Sequence, residues 1–131
     1  MNHEQWHWTF HGFQTAADNR PVRDWINGLP EDARDELVDI LGYMQVRPNS
    51  EWPSPENFKP IENGLSEIRF STGDHWYRIY GFFWPGRRDY TFLHGTEKKV
   101  KNDKEGKKLA KQRKDKLLRG DAGIHPFAIE G

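Results

Sequence analysis

Apolar and polar residues alternate at period two through the middle of the chain, in LSEIRF, WYRIYGFFW and YTFLHGTEKK. STGDH and PGRRD separate these runs as turn clusters, so residues Leu65 to Lys99 predict a three-stranded antiparallel meander. Ile68 and Phe70 alternate with Glu67 and Arg69. In the second run Tyr77, Ile79 and Gly81 oppose Trp76, Arg78, Tyr80 and Phe82. In the third, Tyr90, Phe92 and His94 oppose Thr91, Leu93 and Gly95. Arg69, Arg78 and His94 are therefore expected to converge on an open sheet face.

The flanks carry other patterns. Glu4 to Phe13 alternates, with Trp6, Trp8 and Phe10 on one side, and predicts a fourth strand that joins the meander. Arg20 to Asn27 places Val22, Trp25, Ile26 and Leu29 at helical spacing, with Pro21 at the first helical position. A second helix opens after Pro30, with Glu31 and Asp32 in its first turn, and must end before Pro48. Its stripe is Ala33, Leu37, Val38, Leu41 and Met44, and the short Gly28-Leu29-Pro30 joint predicts a helical hairpin on one sheet face. Residues Arg47 to Pro60 hold four prolines and no period, and read as a connector. Asn102-Asp103 is a cap signal for a helix over Lys104 to Arg119. Leu109, Ala110, Leu117 and Leu118 make too sparse a stripe for a core helix, so it is expected to dock loosely. The expectation is thus an α+β chain forming one domain over residues 1–131, with an antiparallel sheet of about four strands. The segment 120–131 is read as a flexible tail, unless Ile124, Pro126 and Phe127 fold back onto an apolar groove.

Composition sharpens this picture. The chain has 131 residues, long enough for a real core, and its 6 Trp, 4 Tyr and 8 Phe argue against disorder. It has no cysteine, which excludes disulfides and thiolate zinc sites. His3, His7 and His11 share a face only on a helix, so no metal site is expected. No segment reads as a signal peptide or a membrane span, and the expected location is the cytoplasm. The zero net charge hides a split. Residues 1–58 hold 4 Lys/Arg against 10 Asp/Glu, and residues 98–119 hold 11 against 3. That basic stretch is either an anion-binding surface or a solvated helix face.

The words Leu-Ser-Glu-Ile-Arg, Tyr-Arg-Ile-Tyr and Leu-His-Gly-Thr-Glu-Lys-Lys, followed by a Lys-rich helix, resemble the HigB-like, phage-derived branch of the RelE/ParE toxin superfamily. The resemblance covers about residues 5 to 118. It implies a RelE-like fold, a cognate antitoxin, and cleavage of messenger RNA on the ribosome. A minority branch of that superfamily inhibits DNA gyrase and cuts nothing, and a non-toxic nucleic-acid or protein adaptor is a third possibility. Arg78 matches the arginine that contacts the scissile phosphate in nuclease members, Lys98 and Lys99 match a basic pair, and Glu67 and Arg69 match polar positions. The chain departs from the branch at Thr96, where an aromatic is usual, and at Asn102-Asp103, which replaces a Thr-Pro helix start.

Such chemistry needs no metal or cofactor. The RNA 2′-hydroxyl is the nucleophile, cations neutralise the phosphorane, and an acid and a base move protons. The resulting catalytic set is Arg78 as phosphate clamp, Glu67 and His94 as proton-transfer groups, and Lys99. Arg69, Lys98, Lys101, Lys104 and Lys108 are the RNA-binding candidates. His94 reads equally as a half-buried strand histidine, and Glu67 with Arg69 as a same-face ion pair. On the catalytic reading Arg78→Ala folds normally and loses cleavage; on the structural one it melts early.

Overall fold

The computed structural model describes residues 7–52, 57–97 and 102–127. Along the chain run β1 (Thr9–Gln14), α1 (Pro21–Asn27), α2 (Glu31–Gln45), β2 (Phe58–Pro60), β3 (Ser66–Thr72), β4 (His75–Phe83), β5 (Asp89–Glu97), α3 (Lys104–Arg119) and β6 (Gly123–Pro126). All the strands join one sheet in the order β2-β3-β4-β5-β1-β6. The α+β class holds, and β3, β4 and β5 form the expected antiparallel meander. β1 lies parallel to β5, so the sheet is mixed rather than antiparallel as expected: β1 is followed by a long helical connection, not a hairpin turn, and is free to pair in either sense.

The sheet has six strands rather than about four. The two additions sit at its edges, where a strand takes its hydrogen bonds from a neighbour and needs no periodicity of its own. β2 is three residues of the proline-rich connector, paired with β3. β6 pairs antiparallel with β1, and the Phe127 amide then donates to the Phe10 carbonyl at 2.9 Å. Prolines at the ends of both strands suit edges, since proline donates no ladder bond.

The sheet buries both faces. On the first, Val22, Ile26, Ala33, Leu37, Leu41 and Met44 pack on Phe10, Ile68, Phe70, Ile79, Tyr90 and Phe92. Two helical stripes meeting one alternating sheet face is what the periodicities dictate. α1 packs on β5 and β1, and α2 on β3, so the expected hairpin is two helices each held mainly by the sheet. Trp52, in the connector, donates its indole N–H to the Met44 carbonyl at 2.9 Å and packs edge-on to Trp8. That interaction closes the end of the first core. Gly95 lies under the Trp25 ring, and any Cβ there would overlap the indole.

On the second face α3 covers Tyr80, Phe82 and Leu93, which corrects the expectation of an open sheet face there and of a loosely docked helix. Phe13, Leu65, Tyr80, Phe82 and Leu93 meet Ala110 and Leu117 there. The docking stripe of α3 is Gly106, Ala110, Arg113 and Leu117, at i, i+4, i+7 and i+11. Only one of those four is a large apolar residue, which is why the stripe looks sparse in the sequence. Small residues let the helix approach closely. Arg113 donates to the Leu93 carbonyl at 2.8 Å while its guanidinium sits 5.2 Å from the centre of the Phe13 ring. Leu118 points to solvent.

Candidate functional site

Strand β5 carries an irregularity that decides where His94 points. Tyr80 pairs with His94 but Gly81 pairs with Phe92, leaving Leu93 without a partner across the ladder. This is a β-bulge, which breaks the alternation by one residue. Strict period two would send His94 the way of Tyr90 and Phe92, into the first core. The bulge instead turns Leu93 and His94 both toward α3. His94 stacks on Tyr80, with ring centres 6.3 Å apart and planes at 16°.

Beside it opens a groove of about 500 Å³ between the end of β5 and the N-terminal half of α3. Its walls are His94 and Thr96 from the strand, and Asp103, Glu105, Gly106, Lys108, Leu109 and Gln112 from the helix end. His94 is half-buried, and its proton affinity is lowered, first by burial and then by the charge of Arg113, against an opposing pull from Asp103. A neutral imidazole at the mouth of a groove is a competent proton acceptor near pH 7.

Under the groove runs a buried polar chain. Arg78, 2% exposed, forms an ion pair with Glu67, 4% exposed, at 3.4 Å. Arg69 approaches the other oxygen of the same carboxylate at 3.7 Å. Arg78 donates to the Tyr80 hydroxyl at 3.0 Å, and that hydroxyl donates to Asp103 at 3.0 Å. Asp103 also accepts from the Gly106 amide at 3.0 Å, capping α3. A Cβ on Gly106 would collide with the Asp103 carboxylate, so the glycine makes room for the cap. The links alternate in charge and donor character: two ion pairs on Glu67, then hydrogen bonds from Arg78 through Tyr80 to Asp103.

The proposed site residues therefore divide. Arg78 and Glu67 are buried away from solvent, and among the described candidates only His94 and Lys108 line the groove. Arg69 is partly buried on the Glu67 side, and Lys104 is exposed at the helix start. Lys98, Lys99 and Lys101 lie outside the described residues. Sequence reasoning missed Tyr80, Asp103 and Arg113 as parts of this assembly. Tyr80 stands in the quoted Tyr-Arg-Ile-Tyr word and Asp103 in the cap signal, but nothing local shows that they touch. Among the described residues no group of His, Asp and Glu side chains forms a metal site, and no helix is long and apolar enough to cross a membrane.

The family model described as Phage derived protein Gp49-like (DUF891) matches residues 24–115, which include both sides of the groove and the whole buried chain. The chain belongs to this family. Gp49-like proteins form a RelE-like, toxin-like family. No curated protein matches the chain. In this Gp49-like protein the matched span begins inside α1 and ends inside α3, so the β1–β6 pair lies outside it.

Four buried or half-buried titrating groups, two of them at the site, shape how the stability of the fold depends on pH. His94 and His125 both have lowered proton affinity, mainly through burial. Below about pH 6.5 the unfolded chain therefore binds more protons than the folded one. Stability should rise with pH through that window and be lost on acidification. Burial raises the Tyr80 and Tyr90 hydroxyls well above their usual value. Those groups stabilise the fold below about pH 10 and stop doing so as pH climbs further. Urea unfolding followed from pH 5 to pH 11 should show a plateau between about 7 and 10. Stability that kept rising below pH 6 would mean that the histidines are not held neutral.

Proposed function

We propose that this Gp49-like protein is the toxin of a toxin–antitoxin pair, HigB-like within a RelE-like fold, that cleaves messenger RNA on the ribosome. The substrate's own 2′-hydroxyl attacks the adjacent phosphorus to form a 2′,3′-cyclic phosphate, and the bond to the 5′-oxygen breaks as that oxygen takes a proton from water. The observation that carries this reading is His94: a half-buried imidazole of lowered proton affinity, turned by a bulge into a groove that also holds Lys108 and Gln112. His94 takes the proton from the 2′-hydroxyl, and Lys108 faces the phosphate. Arg78 and Glu67 act as positioning residues, holding Tyr80 under His94 and, through Asp103, the start of α3. Lys104, at the start of α3, adds positive charge, as Lys98, Lys99 and Lys101 do in the sequence before it, and the same charge suits an acidic element of the antitoxin.

The buried state of Glu67 and Arg78 favours a second reading, a non-catalytic ParE-like inhibitor of gyrase. Induction in cells with mapping of transcript 5′ ends separates the two. New ends within translated frames are expected. Intact transcripts with DNA breaks would establish the gyrase reading, and neither kind of break would leave an adaptor.

Charge gives a quantitative check. Lys104 and Lys108 replaced together by glutamine should weaken binding to programmed ribosomes. The slope of log affinity against log salt should flatten by about 0.7 for each lost contact to single-stranded phosphate. An unchanged slope would make α3 a solvated face only.

A further inference from the structure

Trp76 is an unspent aromatic. It is 41% exposed, whereas Trp8 and Trp52 are buried and donate their indole N–H groups to the carbonyls of Arg47 and Met44. The other indoles among the described residues engage aromatic or cationic partners: Trp25 meets Phe70 and Tyr77, and Trp84 meets Phe82 and Arg87. Trp76 makes no ring–ring or cation–π contact with any described residue.

Its place in the sheet is informative. Trp76 shares a face of β4 with Arg78 and Tyr80, and the ladder sets Arg78 opposite Thr96 and Tyr80 opposite His94. Thr96 is a wall of the groove, and Trp76 is its diagonal neighbour on the same face, about 7–8 Å away. Four residues along β4 separate the His94 row from Trp76, about 13 Å at strand rise. α3 covers the Tyr80 end of this face and leaves the Trp76 end uncovered. An exposed indole thus stands on the same sheet face as the groove wall at Thr96. His75, beside it, is tied to Glu97 across the strands at 2.7 Å, which steadies the β4 start against β5.

We propose that Trp76 is the stacking platform for one base of a single-stranded RNA whose backbone lies in the His94 groove. This rests on the RNA-cleaving reading and adds the residue that holds the strand beside the reacting position. The occupant follows from charge and shape. The groove includes Lys108, and the segment 98–119 carries 11 Lys/Arg against 3 Asp/Glu, which fits a polyanion. A flat ring next to a cationic groove is the usual pairing for unstacked bases.

The test measures binding of a short single-stranded RNA to the full chain, with every 2′-hydroxyl methylated so that it cannot be cut. Trp76→Ala should weaken binding about tenfold or more, and Trp76→Phe should keep most of the affinity. The melting temperature of both variants should stay within a few degrees of the original, because Trp76 belongs to neither buried core cluster. Abasic sites walked along the RNA should reveal one position whose loss costs nothing further once Trp76→Ala is in place. An RNA bound equally well by the alanine variant overturns the stacking role and leaves the RNA reading standing. Loss of the same size in the phenylalanine variant also overturns it, since a planar ring would then not be what is recognised. Failure of the original chain to bind any RNA overturns both. Trp76→Ala that spares RNA but weakens a protein partner assigns the ring to protein docking instead.

Discussion

Arg78→Ala is expected to melt about 10–20 °C below the original chain, a loss of about 3–5 kcal/mol. The side chains of Arg78 and Glu67 are 3% and 5% exposed, so the alanine leaves a buried carboxylate without its closest cation. It also removes the donor to the Tyr80 hydroxyl, and with it the hold on Asp103 and the α3 cap. Arg78→Lys should recover only part of the loss, because a point charge cannot reach both Glu67 and Tyr80 as a guanidinium does. Glu67→Gln combined with Arg78→Met should be more stable than Arg78→Ala, since removing both charges ends the desolvation problem that removing one creates. Thermal unfolding of the three variants decides the matter. An alanine variant with unchanged melting and about a hundredfold loss of RNA cleavage would return Arg78 to the role of phosphate clamp.

His94→Gln should behave in the opposite way. It keeps a polar side chain of similar reach at the groove mouth, so the fold should survive with melting within a few degrees. Cleavage should fall by about 10²–10⁴-fold, the usual contribution of one proton-transfer group. The remaining rate should also lose its acid limb in the pH profile, because the group whose deprotonation the limb reports is gone. His94 has lowered proton affinity, so in the original chain that limb should lie below the ordinary histidine value of about 6.5. A variant with an intact profile and rate would show that His94 only packs against Tyr80.

These two residues stood side by side as catalytic candidates, and the fold separates them by burial. The separation explains why a sequence reading treats them alike. Both are polar residues in β strands, and alternation says only which residues share a side of one strand. It does not say what lies above that side. The word Tyr-Arg-Ile-Tyr places Arg78 and Tyr80 together, and the structure confirms it. What lies over Tyr80 is α3, which arrives from a segment more than twenty residues away in the chain.

The sequence by itself determined the order of the elements, the stripes of α1 and α2, the β3-β4-β5 meander and the cap at Asp103. Each is written in neighbouring residues: helical or alternating spacing, a proline at a helix start, a turn cluster, a carboxylate before a helix. It also carried the family resemblance and the basic segment. The tertiary structure alone decided four things. It recruited β2 and β6 as edges, because an edge strand is defined by the ladder it completes. It docked α3, whose Gly106, Ala110 and Arg113 read as a weak stripe until a closely approaching sheet supplies the apolar surface. It buried Arg78 and Glu67, as an ion pair across β3 and β4. And it placed a bulge at Leu93, which reverses the facing of His94 through a slip between two strands. Pairing, docking and register are relations between segments distant along the chain, and local periodicity carries no term for them.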